Sequence, residues 1–175
     1  MSNEATYFLL DDVPWPHLDG GAPAAPGAPA PPQRLVEAAQ QSGARRKYLA
    51  RGEGGFHSQY SEFPAGFTVP LHRHDHSEIF VILEGSGTLQ LYPSPRSDTD
   101  ELEEFPIRAG STIARPAGTR RAHGIKAGDD GLTVLAYGTR DPNDIVHYPR
   151  SGKISFRGVG VIGRLEQAGY WDGED

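Results

Sequence analysis

The sequence predicts an all-β domain, a sandwich or barrel, and three observations carry that prediction. From Ala44 onward the apolar residues fall in short runs of β-branched and aromatic side chains rather than at helical spacing. Those runs recur at regular intervals, each closed by Gly or Pro, of which the chain holds 22 and 15. Only one segment, before the first run, reads as a helix, so at most one or two short helices are expected.

The elements follow in order. Residues 1–19 carry Tyr7-Phe8-Leu9-Leu10 and Trp15 among acids, a short strand or wrapped arm. Residues 20–32 are a Pro/Ala/Gly tract that supports neither helix nor ladder, an extended linker. Residues 33–41 suit a short helix stopped by Gly43. Strands are expected at 46–50, 56–63, 78–84 and 87–92, then a polar loop at 93–103 with Pro in it. Further strands are expected at 104–107, 111–115, 120–126, 132–138 and 153–163. The organisation is an arm over 1–43, a single barrel over 44–165 and an acidic tail over 166–175. No internal repeat is visible.

Composition narrows the function. With 17 basic and 23 acidic residues the net charge is −6, which lacks the basic face a nucleic-acid partner needs. No apolar run approaches the roughly 20 residues of a membrane span. The N-terminus lacks a basic then apolar leader pattern, so a cytoplasmic location is expected. Cys is absent and Met occurs once, so any metal must be held by His and carboxylate.

The stretch Gly66 to Gly85 packs three of the seven histidines, His72, His74 and His76, into five residues, with Glu78 close behind. His72, His74 and Glu78 share one parity and face one side of an extended chain. A straight strand would leave His72 and Glu78 about 20 Å apart. Ligands must lie within about 2 Å of one ion. The chain is therefore expected to reverse over Asp75-His76-Ser77, giving a hairpin with the histidines on one strand and Glu78 on the next. Glu78, Phe80 and Ile82 should then point inward, and Ile79, Val81 and Leu83 outward under some cover.

Gly66, His72, His74, Glu78 and Gly85 match every specified position of the first cupin motif, G-x5-H-x-H-x3-E-x6-G, and the chain resembles that superfamily. Gly110, Pro116 and Gly118 match the first half of the second motif. The expected histidine position holds Arg121, His123 stands two residues later, and Ile125 occupies the place of the closing Asn. A slip or bulge after Gly118 would bring His123 onto the ion. The resemblance covers about 45 to 165. It implies a double-stranded β-helix, or jelly-roll, barrel, and the metal set His72, His74, Glu78 and His123.

The resemblance implies one divalent transition metal per chain, with iron, manganese, nickel and zinc all open. It also implies a homodimer. Arg121 is a candidate anchor for an anionic ligand, since a guanidinium binds carboxylate or phosphate well. Gln59 and Tyr137 are further candidates for a ligand pocket; no catalytic residue is assigned. His76 is expected to be a solvated loop residue. His147 and Trp171 are expected in packing or subunit contacts. The expected function is a metal-binding protein acting on a small polar or anionic molecule, with dioxygenase-like chemistry favoured. The alternatives are a zinc-dependent sugar isomerase or epimerase, and a non-catalytic binder of small molecules.

Overall fold

The computed structural model describes residues 10–12, 33, 37, 40–51, 55–93, 101–164, 166 and 168–173. Among the described residues there are nine strands: β1 (Arg45–Arg51), β2 (Phe56–Phe63), β3 (Glu78–Leu91), β4 (Glu103–Arg108), β5 (Thr112–Arg115), β6 (His123–Thr139), β7 (Ile145–Tyr148), β8 (Lys153–Phe156) and β9 (Val161–Arg164). Six form one antiparallel sheet in the order β1-β2-β6-β3-β4, with β5 paired to β3. β7, β8 and β9 form a second, three-stranded sheet. The all-β jelly-roll expectation is met. The linker lies outside the described residues, as does most of the expected helix. The arm touches the barrel where Lys47 Nζ donates to Leu10 O at 2.9 Å. Among the described residues no helix is long and apolar enough to cross a membrane.

The long pair β3 and β6 is the spine. Glu78 to Gly85 pairs with Gly138 back to Leu132, and Gly87 to Leu91 pairs with Ala127 back to His123. The register shifts between, on both sides of Gly85, and such shifts bend a ladder. Gly85 sits at φ 76°, and a Cβ there would lie 2.2 Å from Gly131 O, so only glycine fits the bend. The expected strands 78–84 and 87–92 are thus one bent strand, and 120–126 and 132–138 another that begins only at His123.

Alternation along β3 comes out as expected. Glu78, Phe80 and Ile82 are buried, Ile79 and Val81 are half-buried, and Leu83 is exposed. Phe80 and Ile82 join Phe63, Leu89, Ile107, Ile125, Leu132 and Val134 in the core. Burying each such side chain contributes about 1.5–3 kcal/mol. Two expectations give way at the C-terminal end. β7 was not foreseen, and residues 153–163 are two strands that reverse through a 3-10 turn at Arg157–Val159.

Candidate metal centre

The expected hairpin between the histidines and Glu78 does not form. The histidine segment pairs elsewhere: His72 bridges to His123 at the start of β6, and Arg73 bridges to His147 in β7. His72 N donates to His123 O at 3.0 Å and His123 N returns the bond at 2.9 Å. The six-stranded sheet thus sets one side of the site and the three-stranded sheet the other. The turn that follows is stitched to the second motif: Gly118 N donates to Asp75 Oδ1 at 2.8 Å and Ala117 N to Ser77 Oγ at 3.0 Å. Beyond Gly118, Arg120 takes a left-handed conformation (φ 52°). That irregularity lies between the nominal motif and His123.

Glu78, first residue of β3, is placed by Gly138 opposite it, where a Cβ would lie 2.1 Å from Ser77 O. Its Oε2 lies 2.9 Å from His74 Nε2 and 3.3 Å from His123 Nε2. His72, His74 and His123 each offer one ring nitrogen, all within 4.8 Å of one another. His72 Nδ1 donates to Pro70 O at 2.8 Å, which fixes its tautomer and leaves Nε2 as the free donor. Both ring nitrogens of His74 and Nδ1 of His123 are buried without a hydrogen-bond partner. The 2.9 Å approach of His74 to Glu78 is therefore short but misaligned for a hydrogen bond.

Burial depresses the pKa values of His72 and His123, the former well below the ordinary imidazole value and the latter to about 4. Burial alone would raise the Glu78 carboxyl. The ring nitrogens of His123, His74 and His76 close around it outweigh burial and hold the group far below the usual carboxylate range. Neutral imidazole lone pairs thus converge on an ionised carboxylate. Metal bonds of about 2 Å separate neighbouring donors by about 3 Å, which is the spacing observed between Glu78 and its two close imidazoles. The donor set fits one divalent ion.

Arg115, the last residue of β5, is buried against this cluster, and the sequence reading did not single it out. Its Nη1 donates to His123 Nε2 at 2.9 Å and lies 3.5 Å from Glu78 Oε2; Nη2 donates to Arg121 O at 2.9 Å. Arg121 itself reaches elsewhere, to Tyr92 O at 2.7 Å and to Glu103 Oε2. The cation beside the site is Arg115, where Arg121 had been expected. Tyr137 is 46% exposed, alternating with buried Ala136 on the outer face of β6, away from the cluster. Gln59 shares its strand parity with His57, Ser61 and Phe63, the last two of which are buried. Trp171 is exposed and packs on Tyr170.

His76 is not a solvated loop residue. It is 5% exposed, stacks on His74 with ring centroids 3.7 Å apart, and lies between two carboxylates. Its Nδ1 is 3.0 Å from Asp144 Oδ2 and its Nε2 is 3.3 Å from Glu78 Oε1. Asp144 was missed entirely, since nothing in the local sequence links it to a histidine 68 residues earlier. His76 could have been found, because it shares parity with His72, His74 and Glu78.

The family model described as "Auxin binding protein" matches residues 56–172. Auxin-binding protein 1 of Arabidopsis thaliana is 41% identical over 111 residues, 63% of this chain and 52% of that protein. Auxin-binding protein T92 of Nicotiana tabacum is 32% identical over 113 residues, 64% of this chain and 58% of that protein. The chain therefore spans little more than half the length of the curated relatives it matches. Among solved structures, a sugar phosphate isomerase of the cupin superfamily from Silicibacter pomeroyi superposes with a TM-score of 0.62 at 22% identity. The match covers 91% of this chain and 92% of that one, and at that identity it shows the shared cupin fold.

Proposed function

The chain belongs to the auxin-binding protein family, and from that premise we propose that it binds a small carboxylate-bearing ligand at one divalent metal ion held by His72, His74, Glu78 and His123. The observation that carries this reading is the convergence of His74 Nε2, buried and without a hydrogen-bond partner, and of His123 Nε2 on the ionised Glu78. Bound there, the ion supplies Lewis-acid attraction for a ligand oxygen. The chain's own residues do the rest. Burial keeps His72 and His123 neutral and able to donate lone pairs. The Pro70 carbonyl orients His72. Arg115 places a fixed positive charge beside the ion, which favours an anionic ligand over a neutral one.

The names of the relatives make an auxin, an aromatic carboxylate, the first ligand to try. The metal content of untagged protein purified without added metal should be about one equivalent, and calorimetry with indoleacetic acid should show binding that a chelator abolishes. Ligand binding of equal strength in the chelated protein would overturn the reading. The oxygen-dependent enzyme is the second reading, favoured by four protein donors that leave coordination positions open on a six-coordinate ion. Metal-dependent oxygen uptake with a bound carboxylate would replace the binder with that enzyme. A homodimer through the outer face of β3 is part of the same proposal, supported by exposed Leu83 and Tyr137 beside half-buried Ile79 and Val81. Light scattering that returns the monomer mass of 19.0 kDa would remove it.

A further inference from the structure

We infer that Asp144 and His76 form a positioning pair that clamps Glu78 through its Oε1, so that Oε2 alone faces the metal position. The inference rests on the metal reading above. It adds two residues outside the four donors and gives the three-stranded sheet a role in the site.

The geometry is a continuous chain of buried polar groups. Asp144, His76 and Glu78 are 7%, 5% and 9% exposed. Asp144 Oδ2 takes His76 Nδ1 at 3.0 Å, and His76 Nε2 meets Glu78 Oε1 at 3.3 Å. Both ring nitrogens of His76 are thereby engaged by carboxylates, so it braces the centre from among the donors. Its remaining freedom is removed by stacking on His74 and by the edge-on ring of His57, 5.4 Å away.

Asp144 is itself held. Its carboxylate lies 3.7 Å from Arg157 Nε, and its backbone carbonyl accepts from Arg157 N at 3.1 Å. Asp75 N lies 3.5 Å from its Oδ1. The clamp thus runs from the turn before β9, through the residue preceding β7, to the first residue of β3.

A carboxylate with both oxygens free can rotate between one-oxygen and two-oxygen contact with an ion. Holding Oε1 on His76 removes that choice and prepays its entropy. Partners of this kind typically affect metal affinity by about 10–100-fold.

The test titrates Co2+ and Zn2+ into the metal-free full chain against a competing chelator and records the visible absorption of the cobalt form. The wild type should bind one equivalent. Asp144→Ala and His76→Ala should each keep one equivalent but bind about 10–100-fold more weakly, with an altered cobalt spectrum. The double variant should be no weaker than either single one, because both act through Glu78 Oε1. Asp144→Asn should recover most of the loss, since the amide oxygen still accepts from Nδ1. Single variants within twofold of the wild type, or losses that add in the double variant, would overturn the clamp and leave the metal site standing. A wild type that binds neither ion would overturn the metal reading, and the clamp with it. A variant that melts earlier but binds metal as tightly as the wild type shows a purely structural contact and also overturns the clamp.

Discussion

The two sheets of this molecule are built on opposite terms. The six-stranded sheet buries nearly all the core, and it brings the buried polar groups Glu78, His123 and Arg115 together at one place. The three-stranded sheet has almost no interior. Of its strand residues only Val146 is buried, while Ile145, Val161 and Ile162 are more than half exposed. Yet it carries the bridge from Arg73 to His147 and is preceded by Asp144, so it reaches the site by two contacts. A sheet can shape a binding centre without contributing a core, provided that its few inward groups are directed hydrogen-bond partners.

The sharpest way to break this comparison is to empty the centre from the larger sheet's side. His74→Ala or His72→Ala should remove stoichiometric metal, a loss on the order of a thousandfold in affinity or more, read as metal content after dialysis. Retained metal in both variants would remove the centre altogether.

Next comes a pair of glycine substitutions, one in each sheet. Gly138→Ala drives a methyl into Ser77 O, and a backbone atom cannot swing aside. It should cost about 3 kcal/mol in chemical denaturation. Gly163→Ala in β9 meets nothing within 4 Å and should stay within about 0.5 kcal/mol. Equal costs would show that the two sheets are equally constrained.

Acid sharpens the comparison further. The pKa values of His72 and His123 are depressed on folding, so the unfolded chain binds more protons and stability falls with pH. For His123 the loss should run from about 6.5, the unfolded value, down to about 4. His76 works the other way. Burial alone would lower its pKa, but hydrogen bonds to Asp144 and Glu78 raise it, so its contribution is present below 6.5 and lost as pH rises through the raised value. Against that one raised imidazole stand two depressed ones, with His72 held well below its ordinary value. Melting of metal-free protein between pH 7 and pH 4 should therefore show a net loss, and a flat profile would contradict it.

The smallest effect concerns Arg115. One lone pair of His123 Nε2 cannot serve both a guanidinium and an ion, so Arg115→Gln should tighten metal binding by about tenfold in a chelator competition. Weaker binding in that variant would mean that the guanidinium holds His123 in place instead of competing for it.

Much of the larger sheet was legible in the sequence because its signals are local. The bounds of β2 and the inward parity of Glu78, Phe80 and Ile82 follow from period-two alternation and glycine punctuation, whereas His123 was reached only through the resemblance to the second cupin motif. The smaller sheet was poorly legible for the converse reason. β7 and β8 are four residues each, too short for alternation to register, and Gly158 and Gly160 did not by themselves announce a reversal. The hairpin expectation failed because spacing requires the chain to reverse after His74 without saying which strand the histidine segment pairs with. The structure answers with His123 and His147, both distant in sequence. Arg115 and Asp144 were missed alike, since only tertiary structure brings a cation from β5 to Glu78 and an acid from before β7 to His76.

The mutual backbone bonds between His72 and His123 carry one more consequence. These two donors lie roughly fifty residues apart in the chain yet form a cross-strand pair, so an ion gripping both is a removable cross-link across a long loop. Like a disulfide, such a cross-link restricts the unfolded ensemble as well as the native one. The loaded protein must either unfold with that loop still tied or expel the ion first, so occupancy should be written into the unfolding rate, beyond the midpoint alone.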